Sequence, residues 1–515
     1  MDLKEFRIRA RKIINDPGLT YHQRRHKLAL LAEELVEYPP LGDEAKKALD
    51  ERVICDLYEG HAPYRPRYIL PDYEKALKQG SEFLELDPPT NLAEALNFLT
   101  ILYSQVPSIT GFPVYLGDID RLLIPFLEGV SDDELYHKLK LFWRAVDRMF
   151  PDGFVHANLG PEDTRVGRVI FKIERELKQV VPNLTLKYDP EVTTDELLLE
   201  GIKTVFAVGK PHFANHPMMV KDLGEKYAVV SCYNSLKIGG GSHTLVRLNL
   251  KKTVEKHSGD IESYFKETLP HYVELTLQVM EARIRYLVEE AKFFEHDFLA
   301  QEGLISLDQF SAMFGIFGLA EAVNLLMESK GRNGRYGHDE EANQLSYRIT
   351  DVIAEILAQR PLPYCDGNGG KAFFHSQSGI DLDVDVTAGT RIPYGDEPEI
   401  FEHITAVAPH HYKFQAGISD IFHFENTVQN NPQAVADIIK GAFAQGMRDF
   451  TFNLADGEFV RITGYLVRRS DLEQMKREKR SRYDSTVLGY NAVENQGIFQ
   501  RKRRVISREQ TPGTH

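Results

Sequence analysis

The sequence predicts an α/β fold, a barrel-like core of strands wrapped by helices. Two observations carry this. Short apolar stretches that read as strands alternate with long helical stretches over most of the chain. The composition, 42% hydrophobic and 27% charged over 515 residues, suits a chain that buries a large core. That length admits several domains or one large barrel.

The first 60 residues read as helical, with Leu28, Leu31 and Leu35 at helical spacing. RPRYILPDYEKALKQG is a proline-bounded entry to a helix. NLAEALNFLTILYSQV (91–106) is a helix capped by Asn91. SDDELYHKLKLFWRAVDRMF (131–150) is another, capped by Ser131 with acids in its first turn. TLKYDP (185–190) is extended, and TTDELLLEGIKTVFAV (193–208) is helical. KYAVVSC then leads in, YNSLKIGGGS turns and HTLVRLNL alternates, which predicts two short strands around one loop. Residues 259–300 are helical. SLDQFSAMFGIFGLAEAVNLLMES (306–329) reads as one apolar helix buried on most sides, and HDEEANQLSYRITDVIAEILAQR (338–360) as an amphipathic one. Residues 361–430 are mixed and rich in Gly, Pro, Asp and His. A helix at 432–447 leads into a predicted hairpin, with Phe452 and Leu454 before an Asp456-Gly457 turn and Phe459 and Ile462 after it. Gly464 interrupts its second strand.

The net charge of −14 argues against nucleic acid or an anionic membrane as the main partner. The exception is local: from Tyr465 onward twelve Lys/Arg face six Asp/Glu. The start, MDLKEFRIRARKIINDPG, has no apolar signal core, and no stretch has the length of a membrane span. Three scattered cysteines, Cys55, Cys232 and Cys365, fit a reducing cytoplasm without disulfides. The glycosylation-like NLT at Asn183 is irrelevant there. HExxH and CxxC are absent, and His410-His411 lacks partners at ligand spacing, so no catalytic metal is expected. IGGGSHT and DGNGGKA do not fit a phosphate-binding loop.

A lone glycine in a strand marks a bulge or a close backbone approach in most proteins. Gly464 has a second reading. A glycine Cα radical is planar and delocalised onto both flanking peptide groups, and no side chain opposes that planarity. A thiol is the matching hydrogen donor, because its S–H bond is only a little stronger than such a Cα–H bond. Cys232, at the end of a strand, is the candidate; its structural alternative is a small core residue.

RITGYLV resembles the radical loop of the glycyl radical enzymes, with Thr463 where that family carries Ser, Ala or Cys. Further stretches resemble the family in order: TGFPVYLGDIDRLLIPFL (110–127), VPNLTLKYDPEVTTDEL (181–197), GKPHFANHPMM (209–219), SCYNSLKIGGGSHTLVRLNL (231–250) and FSAMFGIFGLAEAVNLL (310–326). The similarity is greatest to the YjjI type, more distant to anaerobic ribonucleotide reductase and pyruvate formate-lyase. It implies a ten-stranded α/β barrel of two antiparallel five-stranded halves surrounded by helices. It implies that Gly464 stores the radical and that Cys232 is the transient thiyl acting on a small organic substrate. Arg461 and Tyr465 would support the loop. It implies three regions: 1–430 with the barrel and Cys loop, 431–480 as glycyl radical domain, 481–515 as basic tail. No cofactor would be held permanently. A radical-SAM activase with a 4Fe-4S cluster would install the radical on an oxygen-sensitive homodimer serving anaerobic metabolism.

The loop around Cys232 narrows the reaction. Ser231 precedes Cys232 and Tyr233 follows it, so the cysteine pair of pyruvate formate-lyase, and with it the acyl relay, is missing. Asn234 stands where the dehydratases carry a glutamate base. With three cysteines, none near Gly464, the four-cysteine zinc site of the reductases cannot form. The alternatives are a ribonucleotide reductase-like enzyme acting on a nucleoside or nucleotide, and a non-radical ligand-binding regulator on the same barrel. Possible pocket residues are Asn215, His216, Asn234, Cys365 and His375, each with a structural reading beside the functional one.

Overall fold

The computed structural model describes residues 2–57, 62–106, 108, 111–376, 383–495 and 498. Its centre is two five-stranded sheets. The first contains β1 (Ile54–Cys55), β2 (Tyr68–Leu70), β8 (Gly240–Asn249), β9 (Phe310–Phe317) and β10 (Phe373–His375). β8, β9 and β10 run parallel, and β1 and β2 pair antiparallel with the edge of β8 that faces away from β9. The second holds β3 (His156–Leu159), β4 (Asn183–Tyr188), β5 (His212–Asn215), β11 (Ile421–Phe424) and β12 (Asp449–Leu454), in the order β11-β12-β5-β4-β3. Only β12 and β5 are antiparallel neighbours in it.

The helices obey local rules. Asn91, Ser131 and Thr194 each accept a hydrogen bond from the backbone N–H three residues on, capping Leu92–Tyr103, Asp132–Met149 and Asp195–Val208. The helices bury one face against the sheets, leaving one principal core.

Three expectations need correction. The stretch 306–329 is not one helix: Phe310–Phe317 is β9 and Leu319–Ser329 the helix after it. A parallel strand covered on both faces carries an unbroken apolar run, which periodicity cannot tell from a buried helix. The break is Gly318, whose φ of +75° ends the strand. The Cys region holds three strands, because YNSLK contributes β7 (Asn234–Lys237), paired antiparallel with β6 (Tyr227–Val230). The predicted hairpin across Asp456-Gly457 is not formed as a ladder. β12 pairs with β5 and β11, and the hairpin joins β13 (Phe459–Arg461) to β14 (Leu466–Arg468). Gly464 therefore lies in the loop at that hairpin's tip. The side chain of Asn453 replaces a ladder between β12 and β13, accepting from Arg461 N at 2.9 Å and donating to Arg461 O at 3.2 Å.

Candidate active site

The second sheet presents a polar inner face, and the β6–β7 hairpin lies against it like a finger. Asn158 donates to Val229 O at 2.7 Å and accepts from Val229 N at 2.8 Å. Lys187 donates to Tyr227 O at 3.0 Å. His156 lies 3.3 Å from Ser231 O, the ring of His212 is 4.0 Å from that of Tyr233, and Tyr233 donates to Thr451 at 3.4 Å. Burial pushes His156 down to about 3 and His212 well below its usual range, so both rings are neutral.

The fingertip is Ser231-Cys232-Tyr233, between the paired Val230 and Asn234. Ser231 and Tyr233 have φ of +50° and +60°. Left-handed backbone at a residue with a side chain costs about 1–2 kcal/mol. The sheet contacts hold this strain in place, and such strain concentrates at functional sites.

The hairpin tip, residues 462–465, meets the fingertip. A Cβ built on Gly464 would lie 2.7 Å from Cys232 C and 2.8 Å from Ser231 O, and closer still to Cys232 Cα. Nothing larger than glycine fits. Cys232 Sγ is 3.5 Å from Thr463 Oγ1. Arg391 and Tyr394 donate to Ile462 O at 3.0 and 3.1 Å. Asn183 donates to Gly464 O. Arg461, fully buried, donates to Gly209 O at 2.8 Å and Gly464 O at 3.4 Å. Tyr465 packs edge-on against Phe154 at 5.1 Å. Cys232, Ile462, Tyr465 and Val467 belong to an apolar cluster separate from the principal core, completed by Leu472, Ala492, Val493 and Ile498.

The structure thus brings together Gly464, Cys232, Arg461 and Tyr465, with Asn234 at the foot of the fingertip. The other pocket candidates make contacts of their own. Asn215 caps the helix His216–Leu223 and donates to Met447 O at 2.9 Å; His216 bonds Tyr227 OH at 2.9 Å. Cys365 is in the principal core, where burial pushes its thiol up to about 12. His375, buried on β10, is held down to about 3 by burial and by Arg67 and Arg247. Sequence reasoning missed Asn183, Arg391, Tyr394 and Asn453, all of which fix the backbone of the Gly464 loop and the strand entering it. Asn183 had a signal, since it stands in the PNLT segment, but its NLT read as an irrelevant sequon. Of the basic tail 481–515, residues 496, 497 and 499–515 lie outside the described residues. Among the described residues no group of three or more His, Cys, Asp or Glu is placed to hold a metal, and no helix is long and apolar enough to cross a membrane.

Comparison with known proteins gives concordant results. An uncharacterized protein of Escherichia coli K12, YjjI, is 49% identical over 503 residues, covering 98% of this chain and 97% of that one. An uncharacterized protein of Haemophilus influenzae is 40% identical over 493 residues, covering 95% of each. Among solved structures, hydroxyproline dehydratase from Clostridioides difficile superposes with a TM-score of 0.68 at 12% identity, over 91% of this chain and 86% of that one. The anaerobic ribonucleotide reductase from Thermotoga maritima gives 0.65 at 14%, over 93% and 94%. At such identities these likenesses establish the fold, the ten-stranded α/β barrel. The family profile described as glycyl radical enzyme YjjI-like matches residues 19–504. With half the sequence shared with YjjI and the barrel in common with glycyl radical enzymes, this chain belongs to the YjjI-like glycyl radical enzyme family.

Proposed function

We propose that the protein is an oxygen-sensitive radical enzyme in which Gly464 stores the radical and Cys232 delivers it. The observation that carries this reading is the backbone contact between Gly464 and the Cys232 fingertip. In the working cycle the Cys232 S–H gives its hydrogen atom to the Gly464 Cα radical, leaving a thiyl. The thiyl takes a hydrogen atom from a substrate C–H. After rearrangement the product radical takes that atom back from Cys232, and the regenerated thiyl recovers one from Gly464. Atoms and electrons balance with no external reductant. Arg461 and Asn183 hold the Gly464 carbonyl, and the separate apolar cluster shields the loop from water. A radical-SAM activase is the proposed partner, acting on a cytoplasmic homodimer whose radical domain spans 431–480.

Anaerobic electron paramagnetic resonance tests this. Protein biosynthetically labelled with 13C at the glycine Cα is incubated with its activase, S-adenosylmethionine and a reductant. The expected result is a glycyl doublet that gains further splitting from the label. No signal with an activase proven on another target, or a signal the label leaves unchanged, sinks the reading.

A further inference from the structure

Side chains along β12 alternate between two surroundings. Phe450 stacks on Phe422 at 4.6 Å and Phe452 meets Phe424 at 5.0 Å, on the apolar outer side. Thr451 meets Tyr233 of the finger and Asn453 holds Arg461, on the inner side. Asp449 shares that inner face. Its neighbours leave room: its partner on β5 is Ala214, and the register that sets Ile421 against Thr451 brings Ser419 alongside. Asn234 approaches from the finger. Ser235 N donates to Ala416 O, and a Cβ on Gly417 would lie 3.3 Å from Asn234 Cα, so the finger rests on the segment leading to Ser419.

None of these three residues has its polar capacity met. Asn234 Oδ1, Ser419 Oγ and both carboxyl oxygens of Asp449 are buried without a hydrogen-bond partner. Native interiors leave few such groups, and three residues with them on neighbouring segments of one barrel point to a hydrogen-bonding ligand. Burial holds the Asp449 carboxyl well above the usual carboxylate range. Asp420 pushes the same way, and Arg448, Arg391 and Arg461 oppose it only in part. Those arginines have other partners: Asp222 for Arg448, Ser419 O and Ile462 O for Arg391, and Gly209 O for Arg461. Buried without a partner and shifted upwards, the carboxyl favours its protonated form, which can donate as well as accept.

We propose that Asn234, Ser419 and Asp449 form the polar wall of the substrate site, and that the substrate is a small uncharged molecule bearing neighbouring hydroxyl groups. The inference rests on the radical reading, which puts the substrate beside Cys232. Asn234 Oδ1 accepts one hydroxyl, while the Ser419 hydroxyl and the Asp449 acid each donate and accept. A carboxylate or phosphate would sit against a buried acid, and the arginines nearby are already engaged by Asp222, by Ser419 O and Ile462 O, and by Gly209 O.

The test uses full-length resting protein. Glycerol, propane-1,2-diol, lactate and glycerol phosphate are titrated by calorimetry, and the infrared spectrum at pH 7 is compared between wild type and Asp449→Asn. The expected result is binding of the two neutral probes and not of the two anions. Asp449→Asn and Ser419→Ala each weaken that binding about tenfold, the worth of one hydrogen bond. A protonated-carboxyl band disappears in Asp449→Asn and shifts in wild type when glycerol is added. Binding of the anions alone, binding of no probe, or variants with wild-type affinity overturns the proposal. A glycyl doublet without binding of the neutral probes removes this inference and leaves the enzyme class standing. Binding without a doublet does the reverse.

Discussion

A methyl group on Gly464 would press into the backbone of Ser231 and Cys232, so Gly464→Ala displaces one loop or the other. Overpacking of this kind costs about 1–3 kcal/mol. Loss of a radical signal in that variant would therefore mix chemistry with fit, which is why the isotope label is the better probe. Cys232 allows a test that needs no substrate. Its S–H exchanges with solvent, and reversible transfer to Gly464 then replaces the remaining α-hydrogen. In D2O the wild-type doublet should collapse towards a singlet, while Cys232→Ser should keep its doublet. A variant that collapses as fast as wild type would remove Cys232 from the path. Asn183→Ala removes the donor to Gly464 O and leaves buried Arg461 with fewer partners. Leaving such groups unsatisfied costs about 1–3 kcal/mol. Urea unfolding should show that loss, with faster amide exchange at 459–468; unchanged values would mean water replaces the amide.

The β13–β14 hairpin that carries Gly464 is covered by the helices Arg469–Glu478 and Asp484–Asn495, which pack on it rather than on the principal core. The second helix docks on residues 151–154. Asp484 N donates to Pro151 O and Gly153 N to Ser485 Oγ, each at 3.1 Å, and Phe154 carries the contact on to Tyr465. Asp152 is buried at this junction. Burial and the nearby Asp484 push its carboxyl up to about 8, and burial shifts Asp484 upwards as well. The docked state then holds a proton that the undocked state releases near its ordinary value. Docking is at full strength below about pH 4 and weakens as pH rises towards 8, by at most about 1.4 kcal/mol per unit. Amide exchange over 483–493, corrected for intrinsic rates, should accelerate between pH 5 and pH 8. Asp152→Asn should flatten that dependence; an equally steep variant would mean Asp152 ionises in place. Legibility at this scale followed locality. Caps at Asn91, Ser131 and Thr194 and the periodicity behind them are properties of adjacent residues, so those helices were readable. β9 was not, because its apolar run reflects cover on both faces. The partner of Phe459–Arg461 was not, because Asp456-Gly457 sets a turn but not the pairing beyond it.

Across the whole molecule the apolar interior is divided, with Cys365 in the principal core and Cys232 in the smaller cluster under the hairpin. Cys365→Ser should lower the melting temperature, since a hydroxyl replaces a buried thiol. It should leave the rate of doublet collapse in D2O unchanged; a slower collapse would tie Cys365 to the radical path. The sequence by itself determined which residues can bear the chemistry. RITGYLV and the stretch from Ser231 are contiguous, and an α-hydrogen flanked by two peptide groups or a thiol is a property of one residue. It also determined the capped helices and the family's barrel. Only the tertiary structure decided that Gly464 touches Cys232, that Asn183 holds the Gly464 carbonyl, and that Asn234, Ser419 and Asp449 are each buried with polar atoms unsatisfied. Such contacts join residues far apart in the chain. They are fixed by strand register and by the need to pair buried polar groups, neither of which a linear pattern specifies.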